Sequence, residues 1–159
     1  MKDFLRVLLV VLVAFIIYSL LAKSYYSLLL LVNIFSLVVI YFALEKGEIT
    51  GACLGTFFGL IQDSFSLGVF GVSGIAKTVV GFLAGYISRK INVTPFVKNF
   101  VFIFVLISLE LVIWTGLYAL IFLEKVNTEN GLIFFQPVMT ALLGSVAYRF
   151  LRKRRREIV

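Results

Sequence analysis

The stretch Gly59–Gly85, GLIQDSFSLGVFGVSGIAKTVVGFLAG, decides how this chain folds. It is mostly apolar, rich in glycine, and long enough to cross a membrane once or to fold back on itself. It also carries an aspartate, Asp63, and a lysine, Lys77, with no other charge between them. Two charges in so apolar a setting need a physical reason, because a charged side chain at the centre of a membrane helix costs about 2.5–3.5 kcal/mol on insertion scales.

The rest of the sequence has the same character. The 159 residues are 62% hydrophobic and only 14% charged, and the mean hydropathy is +1.10. Soluble domains are roughly half apolar and a quarter charged, so the composition reads as an integral membrane protein. The apolar runs take up most of the length and leave no room for a large extramembrane domain. A single cysteine, Cys53, cannot form an internal disulfide, and the absence of histidine excludes the usual His/Cys zinc sites and Ser-His-Asp chemistry. No cofactor is expected.

Charges punctuate the apolar runs. A membrane helix needs about 20 apolar residues, and the runs predict six spans at approximately 5–22, 24–44, 51–67, 72–88, 100–123 and 132–148. The runs are continuous rather than alternating, which argues against a barrel. The first run has a basic start and an apolar middle like a signal peptide, but its LAKS end is a poor cleavage site and further spans follow, so it reads as an uncleaved helix. The fold class is thus an all-α bundle of six transmembrane helices in a single domain.

The basic residues orient the bundle. With a cytoplasmic N-terminus, the inner segments hold Lys2, Arg6, Lys46, Arg89, Lys90, Lys98, Arg149, Arg152, Lys153, Arg154, Arg155 and Arg156. The outer loops hold only Lys23 and Lys125, and Lys77 lies within a span. That asymmetry needs an even number of spans and places both termini in the cytoplasm. The tail 149–159, RFLRKRRREIV, reads as a topology stop with affinity for anionic lipid. No folded basic module accompanies it, so nucleic acid is not an expected partner.

On this topology Asp63 and Lys77 lie about four and five residues from the outer ends of consecutive antiparallel spans, roughly 6–8 Å below the boundary. An Asp63–Lys77 ion pair fixing the register of the hairpin is expected; the alternative is that each snorkels outward separately. Eight of the twelve glycines lie between Gly51 and Gly85. Gly51, Gly55 and Gly59 share one helical face by their four-residue spacing, as do Gly81 and Gly85, and small residues so spaced let helix backbones pack closely in lipid. Glu110 stands near the middle of the fifth span. Such a carboxylate is either protonated, paired with a lysine such as Lys77, or lining a polar cavity. With Lys77 placed nearer the outer side, Glu110 reads either as a proton or substrate site or, in preference, as a neutral acid hydrogen-bonded to polar neighbours on facing helices, its role left open. Asn33 and Gln62 read as interhelical hydrogen-bond donors.

The run GACLGTFFGLIQDSFSLGVFGVSGIAKTVVGFLAGYI, Gly51–Ile87, resembles the central hairpin of the bacterial rod-shape-determining MreD family. The shared features are a glycine-spaced helix leading to an aspartate, a short glycine loop, and a polar start to a helix ending in GFLAG. Length, six spans and basic tail agree with that resemblance. It implies a non-enzymatic scaffold of the cell-elongation machinery in the bacterial cytoplasmic (inner) membrane. The implied partners are an MreC-type bitopic protein and, through it, MreB filaments, a RodA-type glycosyltransferase and a class B penicillin-binding protein, together with membrane lipids. Asp63 and Lys77 match the family's polar hairpin positions and are expected to serve structure or partner docking. The family is also similar in fold to the substrate-binding subunits of energy-coupling-factor vitamin transporters, which makes such a subunit the alternative function. Those subunits commonly dock through alanines four residues apart in the first helix, whereas here Ala14 and Ala22 form no such pair. A pocket near Tyr25, Tyr26, Asp63 and Lys77 would serve the alternative. An intramembrane enzyme would have only Asp63 and Glu110 as acids, at different depths.

Overall fold

The computed structural model describes residues 32–65, 70–91, 93, 95–122 and 131–156. The expected first span, Tyr25 and Tyr26 lie outside these residues. Among the described residues the chain is all α-helical, without a strand. Helix α1 spans Ile34–Lys46, α2 Glu48–Phe65, α3 Val72–Ser88 and α4 Phe96–Phe122, and a short 3₁₀ turn, Leu132–Phe135, leads into α5, Gln136–Arg156. The third of these coincides with the span expected at 72–88. Helix α4 begins four residues before the expected 100, and α5 continues as helix into the basic tail, to Arg156. Among the described residues one helix, α4, is by itself long and apolar enough to cross a membrane, over Phe96–Ile121.

Local chemistry sets these boundaries. Asn33 caps α1, its side-chain oxygen accepting from the Ser36 backbone N–H at 3.2 Å. Gly47 ends α1 at φ +96° and is the only residue between α1 and α2. Its conformation is one that L-residues with a side chain rarely adopt, and it reverses the chain within a single position. Gly71, at φ +102°, opens α3 in the same region. Pro95 immediately precedes α4, where its missing N–H is no loss. The buried Asn99 reaches back from α4 to the Val93 carbonyl at 3.3 Å and secures the α3–α4 connection.

Helices α2 and α3 form the tightest pairing. Gly51 lies against the Gly81 backbone, Gly55 against Lys77, Gly59 against Ser73 and Gly74, and Gly85 against Gly47 and Glu48. The glycines expected to pack therefore do so against each other's helix, in antiparallel register. A Cβ at any of these positions would collide with main-chain atoms. At one end of this hairpin Glu48 pairs with Arg89 at 2.9 Å.

The remaining helices wrap this hairpin. Ile40 and Ala43 of α1, Val80 and Ala84 of α3, Ile103 and Ile107 of α4 and Ala141 of α5 share one core. Phe35 and Val39 pack with Phe58 in a second, smaller cluster against α2. The exterior is apolar as well. Val97, Val101, Val105 and Val112 of α4 and Leu142, Leu143 and Val146 of α5 are all exposed.

The glycine contacts have a direct consequence. Gly55→Ala and Gly81→Ala each force the α2 and α3 backbones apart and should destabilise the fold, with overpacking costing about 1–3 kcal/mol per site. At Gly116 in α4 an added methyl group would meet nothing within 4 Å. Gly116→Ala should be neutral or stabilising by up to about 1 kcal/mol through helix propensity. Thermal unfolding of the purified variants in detergent distinguishes the two classes.

Candidate functional site

Buried polar groups are rare in an apolar bundle, and here they converge. Lys77 is 1% exposed and Glu110 5% exposed. The ammonium of Lys77 forms an ion pair with Glu110 Oε1. It also donates to Ser36 Oγ at 2.7 Å and to Asn33 Oδ1 at 3.4 Å. Glu110 Oε1 in turn accepts from Ser36 Oγ at 2.8 Å and from Asn33 Nδ2 at 3.0 Å. The Asn33 backbone N–H donates to Thr140 Oγ1 at 3.1 Å. One connected network therefore joins the start of α1, the first turns of α3, the middle of α4 and the start of α5.

This arrangement corrects two expectations. Lys77 does not pair with Asp63, and Glu110 does not stand apart from Lys77. The physical reason lies in helix length. Helix α4 has 27 residues and α3 has 17, a difference of roughly 15 Å along the axis. The two are aligned at the Arg89 end, where the connection between them is short, so the excess of α4 extends past the start of α3. Glu110, mid-way along α4, is thereby brought level with Lys77, near the start of α3.

Asp63 has a different occupation. Its Oδ2 accepts from the backbone N–H of Gly71 at 2.8 Å and of Gly74 at 3.3 Å, and its Oδ1 accepts from that of Ser73 at 3.2 Å. Gly71, at the N-cap position of α3, has no side chain with which to cap. Asp63 supplies the carboxylate from the preceding helix and places negative charge at the positive end of the α3 dipole. It stays buried, at 5% exposure, because its charge is spent on these donors.

Chemically the junction is closed on itself. The three acceptors around the Lys77 ammonium are all side chains of the network, and Glu110 Oε1 is saturated by three donors. Glu110 Oε2 is buried and makes no hydrogen bond among the described residues. Those residues hold no cluster of three or more metal-ligating side chains.

Compared with family models, curated proteins and solved structures, the chain matches none.

Sequence reasoning does not single out Ser36 or Thr140. Ser36 carries a usable signal: it follows Asn33 by three residues within an apolar run, which puts both on one helical face. Thr140 has no such marker, since single threonines are common in apolar helices.

The two buried carboxylates should respond differently to loss of their partners. Lys77→Met leaves Glu110 buried without its counter-charge and should cost about 3–5 kcal/mol. Asp63→Ala removes a helix cap and should cost about 0.5–2 kcal/mol. Denaturant unfolding of both variants against wild type checks the order.

Proposed function

We propose that the chain is a multi-pass protein of the bacterial cytoplasmic membrane, a bundle of six transmembrane helices with both termini cytoplasmic, and that it acts as a non-enzymatic scaffold in cell elongation. The observation that carries the membrane reading is the inversion of polarity. Lys77 and Glu110 pair inside and Asp63 is buried on backbone N–H groups, while large apolar side chains such as Val112, Leu120 and Phe82 face outward. A folded chain with this surface needs a hydrocarbon solvent or an extensive partner.

The distribution of basic residues supports the orientation. Lys46 ends α1, Arg89 and Lys90 follow α3, Lys98 begins α4, and Arg149–Arg156 close α5. Because successive helices are antiparallel, all of these gather at one end of the bundle. The opposite end, where α2 meets α3 and α4 gives way to α5, carries no lysine or arginine on its surface among the described residues. Positive charge on one side is the mark of a cytoplasmic face.

The scaffold reading rests on the resemblance of Gly51–Ile87 to the MreD hairpin, and the junction favours it over the alternative of a vitamin-type transporter subunit. Lys77 is committed to Glu110, and Asp63 to the start of α3. Neither is left to line a metabolite pocket. Both instead make the hairpin rigid, which suits a surface that must present a fixed shape to an MreC-type partner. The outer face of α3, with Ile75, Val79 and Phe82 exposed, offers apolar area for a partner's membrane helix.

Detergent co-purification tests this reading. The tagged protein should capture an MreC-type bitopic protein, and Val79→Trp on the outer face of α3 should reduce capture while the protein stays monodisperse. Folded protein that captures no such partner but binds a vitamin would shift the function to the transporter alternative.

A further inference from the structure

Helices α1 and α5 run parallel. They meet at the Asn33–Thr140 hydrogen bond and again where Leu37 lies against Gly144. Beyond these contacts they leave a cleft of about 230 Å³, walled by Leu37, Tyr41 and Leu44 of α1 and by Ala147 and Tyr148 of α5, with Ile103 of α4 at its base. The lining is apolar apart from the two tyrosine hydroxyls. The cleft follows α1 from Ile34 to Leu44, a length of roughly 15 Å at the α-helical rise. That is half the thickness of a hydrocarbon core of about 30 Å, the depth of one leaflet.

One end of the cleft opens where the positive charge gathers. Tyr148 is followed directly by the exposed Arg149, and Arg152 and Lys153 come one helical turn later on the same helix. Lys46 stands two residues beyond Leu44. The acids at this end, Glu45 and Glu48, are outnumbered by Lys46, Arg89, Lys90, Lys98 and the run Arg149–Arg156. An apolar slot one leaflet deep, with a basic rim, has the complementarity of a phospholipid: a chain for the slot and a phosphate for the rim.

We propose that this cleft is a binding site for an anionic phospholipid of the leaflet at the basic end, with one acyl chain between α1 and α5 and the headgroup phosphate held by Arg149. The walls, apolar but for two tyrosine hydroxyls, offer a polar metabolite few partners. The site rests on the membrane reading and is independent of which protein partner the bundle engages.

Native mass spectrometry of the full chain in detergent, titrated with phosphatidylglycerol or phosphatidylcholine at equal concentration, tests the proposal. Wild type should retain phosphatidylglycerol preferentially, by about fivefold for each basic residue near the headgroup. Arg149→Gln should lower that preference by about the same factor. Ala147→Phe, which fills the slot, should abolish retention of either lipid at an unchanged unfolding midpoint. Leu44→Trp fills it from the facing wall, so that misfolding of one variant leaves the test standing. Equal retention of both lipids by wild type, or retention of phosphatidylglycerol at the wild-type level in the filled variants, overturns the site. A dimer that dissociates on Ala147→Phe would give the cleft to a second copy of the chain and overturn it too. Extraction of the protein from vesicles by alkaline carbonate would instead defeat the membrane reading beneath it.

Discussion

The ion pair between Lys77 and Glu110 is the constraint to which the rest of the bundle conforms. Neither charge is tolerable alone in so apolar an interior, where the effective cost of desolvating an ion amounts to several kcal/mol. Together, with Asn33 and Ser36 supplying donors and acceptors to both, they form a compact group that four helices must approach. That requirement fixes the height of α4 against α3. It also fixes where α1 begins, because Asn33 both caps α1 and belongs to the junction. The start of α5 is tied in through Thr140. In a hydrocarbon solvent, apolar surfaces give little reason for one helix register over another. A buried polar group has one position in which it is satisfied, so it can specify what packing alone leaves degenerate.

The α2–α3 hairpin uses a different device. Its interface is made of glycine against main chain, so dispersion contacts between backbones replace the side-chain core of a soluble hairpin. Such a surface is smooth and could slide. The ends prevent this: Asp63 grips three N–H groups at the start of α3, and Glu48 meets Arg89 at the far end. In the second of these the Arg89 side chain lies largely in solvent, which screens the pair and leaves it worth little on its own. The buried Asp63 cap therefore contributes the larger share of the register.

Much of this is legible in the residues. Continuous apolar runs point to the all-helical class, and the 72–88 boundary is marked by Gly71 on one side and Arg89 on the other. The four-residue glycine spacing announces the tight hairpin face. The partners of Asp63, Lys77 and Glu110 are harder to read, for a physical reason. Depth counted from the charged residues that bound each run assumes helices of similar length. Helix α4 starts at Phe96, includes Lys98 within its first turn, and at 27 residues exceeds the 17 of α3 by ten. The long lysine side chain covers the remaining offset. Nor does a sequence distinguish an aspartate that pairs with a lysine from one that caps the next helix across a loop, since both sit near a helix end. The glycine at the α3 N-cap, which has no side chain of its own to cap with, is the one hint.

These features converge on a protein whose polar residues serve its own architecture. Lys77 and Glu110 are buried and paired, Asp63 is buried on the start of α3, the outer faces are apolar, and the exposed basic residues gather at one end. The scaffold role we propose would use such a molecule for its fixed shape. The most direct measurement of its organising interaction is a double-mutant cycle on Lys77→Ala and Glu110→Ala by unfolding in a lipid-like micelle. The expected result is strong non-additivity, with the double variant more stable than the sum of the single losses by about 1–3 kcal/mol. Losses that simply add, within about 0.5 kcal/mol, would contradict a fold organised around this pair.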